Sequence, residues 1–219
     1  MKSHYIASIT AALALSAACT GAALAADQVT GVDHAAVVKE LKQSFAPKGI
    51  AKLDRIDQST MQRECSQASM TGKSLTKAQV AEITRQALAS VKQPADGKYL
   101  GDWKAGEKIA QSGKGWQYSD DPAKLAGGNC YACHNMSKGE ISYGNIGPSL
   151  LHYAKTRGTS EKVMRYTWSK IYNSHITSAC SVMPRFGAAG LLTEAQLKDV
   201  MALLFDPHSP VNDDSVKVH

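Results

Sequence analysis

The run Cys130-Tyr131-Ala132-Cys133-His134 places two thiols and an imidazole within five positions. Whatever these side chains hold must sit at the centre of any fold built around them. A disulfide, a metal ion and a haem are the three chemistries open to such a cluster. A structural zinc site normally supplies a second closely spaced pair of Cys or His ligands, but the other candidates, Cys65 and Cys180, are 115 residues apart. A thioredoxin-like redox pair sits at a strand-to-helix junction of a βαβ pattern, and no such pattern surrounds the motif. Cys-x-x-Cys-His is the spacing of covalent c-type haem attachment. There two thiols add to the two vinyl groups, and the adjacent histidine is held beneath the iron as its proximal ligand. The expected cofactor is therefore one covalently bound haem c, held by Cys130, Cys133 and His134.

The N-terminus fits an exported chain. Lys2, an Ala/Leu/Ile/Ser stretch to Ala18 and the small residues Ala23-Leu24-Ala25 read as a secretory signal cleaved before Ala26. The stretch is too short and too interrupted by Ser and Thr for a stable membrane span. Cys19 offers lipid attachment as an alternative, although Ser16 stands three positions before it, where a large aliphatic residue is usual. The periplasm is the expected location, and its chemistry permits disulfides. Of 25 basic side chains, Lys2 leaves with the signal, so 24 face 19 acidic ones and the net charge falls from +6 to +5. This excess can steer encounters with acidic partners. The lysines are scattered and no base-stacking aromatic motif accompanies them, which argues against nucleic-acid binding.

Gly147-Pro148-Ser149-Leu150 begins thirteen residues after His134. In class I c-type cytochromes a similar turn presents its proline carbonyl to the histidine's other ring nitrogen, fixing the tautomer. An ordinary proline turn is the plainer explanation of the same residues. The sixth ligand must come from elsewhere. Met136 is too close to His134 to cross a haem, while Met164 and Met201 lie in helical patterns where methionine usually fills core. Met183 opens Met183-Pro184-Arg185-Phe186-Gly187, a segment that Pro and Gly keep out of helix. It is the expected distal ligand, with His152 and His175 as rivals. Thioether ligation favours electron transfer.

The helical pattern points to an all-α fold. Asp102 can cap a helix from Trp103 to Ala110, and Gly106 within it would admit a second helix closely. Thr193-Glu194-Ala195-Gln196 is a capping box that opens an apolar-faced helix ending near Asp206-Pro207. First and last helices crossing around a haem is the class I cytochrome c plan. Residues 101–219 form that domain with its C-terminal tail, and residues 26–100 an N-terminal, mainly helical extension that packs on the domain or on a partner. Helices are expected there over 37–45 and from the Thr76 capping box to about Val91. A Cys65–Cys180 disulfide would pin the extension to the Met183 loop; a reactive thiol at one of the two is the rival reading.

Cys180-Ser181-Val182-Met183-Pro184-Arg185-Phe186-Gly187, Leu192-Thr193-Glu194 and Leu204 to Asn212 resemble the SoxX family, as do Arg63-Glu64-Cys65-Ser66 and Gly144 to Leu150. SoxX is the monohaem subunit of the SoxAX cytochromes, L-cysteine S-thiosulfotransferases of thiosulfate oxidation. The resemblance implies a heterodimer with SoxA, which carries the catalytic centre. It also implies that SoxYZ is the carrier protein whose cysteine receives thiosulfate, and that a soluble cytochrome c accepts the electrons. His134 and Met183 would then ligate the iron, with Arg185 and Phe186 flanking the haem. A free periplasmic shuttle and a haem subunit of another dehydrogenase are the alternatives.

Overall fold

The computed structural model describes residues 33–215; the expected signal segment and Cys19 lie outside them. Among the described residues the regular structure is all helical, and the lone β-bridge joins Lys48 and Ala51. The chain divides after Ser44. In the first unit α1 (His34–Ser44) is led in by Asp33, whose carboxylate accepts the Ala35 N–H at 2.9 Å. It starts three residues before the expected helix and buries none of its residues.

The second unit begins at Phe45. Its helices are α2 (Thr60–Thr71), α3 (Lys77–Ser90), α4 (Trp103–Gln111), α5 (Tyr153–Arg157), α6 (Glu161–Tyr172) and α7 (Glu194–Phe205). Three of them open with the same reciprocal cap, Ser59 with Gln62, Thr76 with Gln79, and Thr193 with Gln196. Each pair satisfies two backbone N–H groups that a helix start leaves open. Sequence reasoning missed α2 because it buries no residue fully and its apolar face is limited to Met61, Cys65 and Ala68; the Ser59-x-x-Gln62 box is the signal that marks it.

α4 and α7 form the closest helix pair. A Cβ on Gly106 would overlap the backbone carbonyl of Asp199, so the helices touch backbone to backbone there. Two further bonds join the entry to α4 with α7. Gly101 N–H donates to Lys198 O and Asp102 N–H to the Asp199 carboxylate, each at 2.9 Å. α7 is buried on nearly all sides through Val200, Met201, Ala202, Leu203, Leu204 and Phe205. Phe205 meets Tyr153 edge-on, and the Asn212 amide from the tail donates to Leu204 O and Asp206 O. Met136 and Met201 are core residues, each 1% exposed or less.

Residues 45–100 belong to this same unit. Trp168 Nε1–H donates to Lys92 O at 2.8 Å and packs edge-on against Tyr99. Asn173 donates to Ser90 Oγ, and Arg55 donates to Trp116 O. Cys65 on α2 and Cys180 are joined by a disulfide with Cα atoms 5.6 Å apart. Neither is therefore a free thiol, and the link closes a loop over a sequence separation of 115. Loops this long are where a cross-link most restricts the unfolded chain.

Gly106→Ala should destabilise the fold by about 1–3 kcal/mol, because the new methyl meets backbone that can only move by separating the helices. Urea unfolding should show a lower midpoint with an unchanged slope.

Candidate functional site

The Cys-x-x-Cys-His segment is anchored on the end of α4. Gly128 N–H donates to Ile109 O and Asn129 N–H to Ser112 O, at 2.8 and 2.9 Å. Asn129, at φ 47°, takes the left-handed conformation that Asn tolerates, and the chain turns into a 3₁₀ turn over Cys130–Ala132. The loop 144–150 then lies along this segment. Gly144 N–H donates to Tyr131 O, Gly147 N–H to Cys133 O and Leu150 N–H to Asn135 O, at 2.7–2.8 Å.

This register brings Pro148 to His134. His134 Nδ1 is 2.8 Å from the Pro148 carbonyl oxygen, which can only accept, so Nδ1 carries a proton and the lone pair of the neutral ring is on Nε2. A Cβ at Gly147 would overlap the imidazole. Glycine is required there for the ring to lie flat against the turn.

A cavity of about 390 Å³ opens beside this pair. Cys133, His134, Pro148, Tyr153, Ile171 and Met183 are among the residues that line it. Its volume lies within the usual range for small-molecule and cofactor sites. Thus three of the four expected site residues share one wall system. Cys130 is not among the lining residues; it packs against the core as a small hydrophobe, and burial pushes its thiol up to about 12. Both motif cysteines are free thiols.

The Met183 loop is held from the turn that follows α6. Ser174 Oγ–H donates to Met183 O, Met183 N–H donates to Ser181 Oγ at 3.3 Å, and His175 Nε2 lies 3.0 Å from Ser181 O. The rival histidines sit elsewhere. His175 lines a second cavity on the far side of the Met183 loop, together with Arg185 and the disulfide. His152 faces Asp214 at 3.5 Å. Neither is among the residues lining the cavity that holds His134. Arg185 and Phe186, expected to flank a haem, do not line that cavity either. Phe186 is 6% exposed and packs in the core, because Leu191 and Leu192 N–H groups both fold back onto its carbonyl.

Three contributors escaped sequence reasoning: Lys170, Arg157 and Tyr166 also line the His134 cavity. For Lys170 the signal was present. Val163, Thr167, Lys170 and Ile171 recur at the spacing of one helix face, and a lysine on a face that is otherwise apolar or hydroxylated is the anomaly.

Tyr131 links the motif to α4 by donating to both Glu107 carboxylate oxygens, at 3.1 and 3.2 Å. Burial raises the Glu107 pKa; the Tyr131 bond opposes that, and nearby Glu140 adds to it.

No protein-family model matches the chain. A protein of Aquifex aeolicus (strain VF5), named an uncharacterized lipoprotein, is 42% identical over 136 residues. The match covers 61% of this chain and 63% of that protein, so the chain spans less than two thirds of its relative's length.

Two outcomes test the geometry. Gly147→Ala should push the imidazole off Pro148, so the His134 ring proton exchanges with solvent roughly tenfold faster by NMR, the loss expected for about one hydrogen bond. A carboxyl whose folded pKa is raised loses stability as pH climbs from its unfolded value through the folded one. Glu107→Gln should therefore gain thermal stability relative to the parent at pH 7, with the gain vanishing near pH 4.

Proposed function

We propose that this chain is an exported c-type cytochrome of the class I plan that transfers single electrons as the monohaem subunit of a thiosulfate-oxidising SoxAX complex. One observation carries the cytochrome part. An imidazole locked by a proline carbonyl, whose neutral form therefore carries its lone pair on Nε2, lines the same cavity as a loop methionine, with two free thiols in the adjoining turn. These donors fit a haem c: soft thioether, neutral imidazole and two nucleophilic sulfurs at the attachment spacing.

When bound, haem supplies a one-electron couple. The protein's own residues do the rest. Pro148 fixes the His134 tautomer and Gly147 gives the ring its room. Ser174 and Ser181 hold the Met183 backbone from both sides. Tyr153, Ile171 and Leu204 give the cavity apolar walls that would limit water around a bound haem and so tune its potential.

The SoxAX part rests on the resemblance of the Cys180–Gly187 and Leu204–Asn212 segments. Joining thiosulfate to a carrier thiol forms one sulfur–sulfur bond and releases a proton and two electrons. A monohaem subunit takes those electrons one at a time, and the catalytic centre lies on the SoxA partner. The relative's name supports export, and it favours a second reading at the N-terminus, a lipid on Cys19 in place of cleavage before Ala26.

The test is purification of the C-terminally tagged chain from its host grown on thiosulfate. A larger cytochrome should accompany it in equal amount, and thiosulfate with the carrier should reduce its haem. A lone chain that stays oxidised would make it a free shuttle. Intact mass reads the remaining points, covalent haem on the chain and either an Ala26 start or a lipidated Cys19. Met183→Ala should abolish the near-infrared sulfur-to-iron band of the oxidised protein and let the reduced protein bind carbon monoxide.

A further inference from the structure

Two cationic side chains line the cavity that holds His134 and Met183. Lys170, on the last turn of α6, lines it, and so does Arg157 at the end of α5. Lys170 is partly buried, and its ammonium donates to Ser174 O at 2.6 Å and Thr177 Oγ1 at 2.9 Å. An ammonium has three donors, and these two neutral acceptors use two of them. Among the described residues neither Lys170 nor Arg157 forms an ion pair; the recorded pairs involve Arg85, Lys138, His152, Lys155 and Lys198. Burial alone depresses the Lys170 pKa. A cation drawn out of water without a counter-charge is unfavourable, and retaining one on a cavity wall makes sense when the occupant brings the opposite charge.

We propose that Lys170 is the counter-cation for a carboxylate of the cavity's occupant, with Arg157 as a second cation lining the same cavity. The proposal rests on the haem reading, under which the carboxylate is a haem propionate. It differs from the sequence expectation, which put Arg185 near the haem; Arg185 lines the neighbouring cavity instead. Lys170 also touches the sixth-ligand loop indirectly, because the Ser174 whose carbonyl it holds donates to Met183 O. One side chain therefore lines the cavity and also braces the methionine loop. A cation at this position favours the reduced, electron-richer state and raises the potential.

The experiment compares holoprotein from the parent with Lys170→Gln and Lys170→Arg. Glutamine keeps a donor for Ser174 O but loses the charge, whereas arginine keeps the charge. The readouts are midpoint potential, the propionate bending mode in resonance Raman, and the sulfur-to-iron band. Lys170→Gln should lower the potential and shift the propionate mode with the sulfur-to-iron band retained, and Lys170→Arg should stay near the parent in all three. A parental potential and propionate mode in Lys170→Gln would overturn the proposal. So would an equal loss of the sulfur-to-iron band in both variants, since Lys170 would then be a brace alone. A parent chain without covalent haem by intact mass would instead sink the haem reading itself, and the propionate assignment with it.

Discussion

The backbone contact between α4 and α7 at Gly106 is the constraint on which the second unit is built. With no side chain between Gly106 and Asp199, the two helices cross at the shortest separation that their main chains allow. That closeness seals Leu203 and Ala110 completely from solvent. The same α4, at its C-terminal end, holds the Cys-x-x-Cys-His turn through Ile109 O and Ser112 O. The position of the imidazole thus depends on a helix crossing some distance away. Packing of this density behaves as a jigsaw, so a displacement at the crossing is passed on and not absorbed.

From that anchor the site is assembled by short-range bonds from opposite directions. On one side the 144–150 loop zips along the motif and fixes the ring through Pro148. On the other, the turn after α6 grips the Met183 loop through Ser174, His175 and Ser181. The disulfide ties α2 to the same loop and so adds a covalent restraint behind the hydrogen bonds. Met183 is consequently braced from within the core and from the N-terminal region together. A loop held this way keeps one geometry, which is what the proposed electron transfer would require of it.

Much of this was legible in the sequence, for identifiable reasons. Capping boxes are local chemistry, and Thr76 and Thr193 begin α3 and α7 where the residue patterns put them. The relation of His134 to Pro148 also rests on short-range spacing, whereas at 106 the glycine was visible in the sequence but its partner, the Asp199 backbone, was not. Met201 is core, as a helical methionine usually is, while the burial of Met136, set aside only for its closeness to His134, was not anticipated. What was missed lacked a local signature or carried an ambiguous one. α2 is a mostly polar helix whose apolar stripe is only Met61, Cys65 and Ala68, and Arg185 stands near Met183 in sequence yet lines a different cavity.

The sequence by itself determined the chemistry on offer: two thiols and an imidazole at attachment spacing, a proline turn within reach, a loop methionine, and two distant cysteines in a chain suited to export. Those are properties of residue type and short separation, which backbone geometry converts directly into contact. Only the tertiary structure decided which distant groups meet. It joined Cys65 to Cys180, turned Phe186 into the core, sent His152 and His175 away from the cavity and brought Lys170 and Arg157 to it. Such pairings depend on how α6, α7 and the connecting loops pack in three dimensions, and residue spacing carries no information about that once the separation exceeds a few turns.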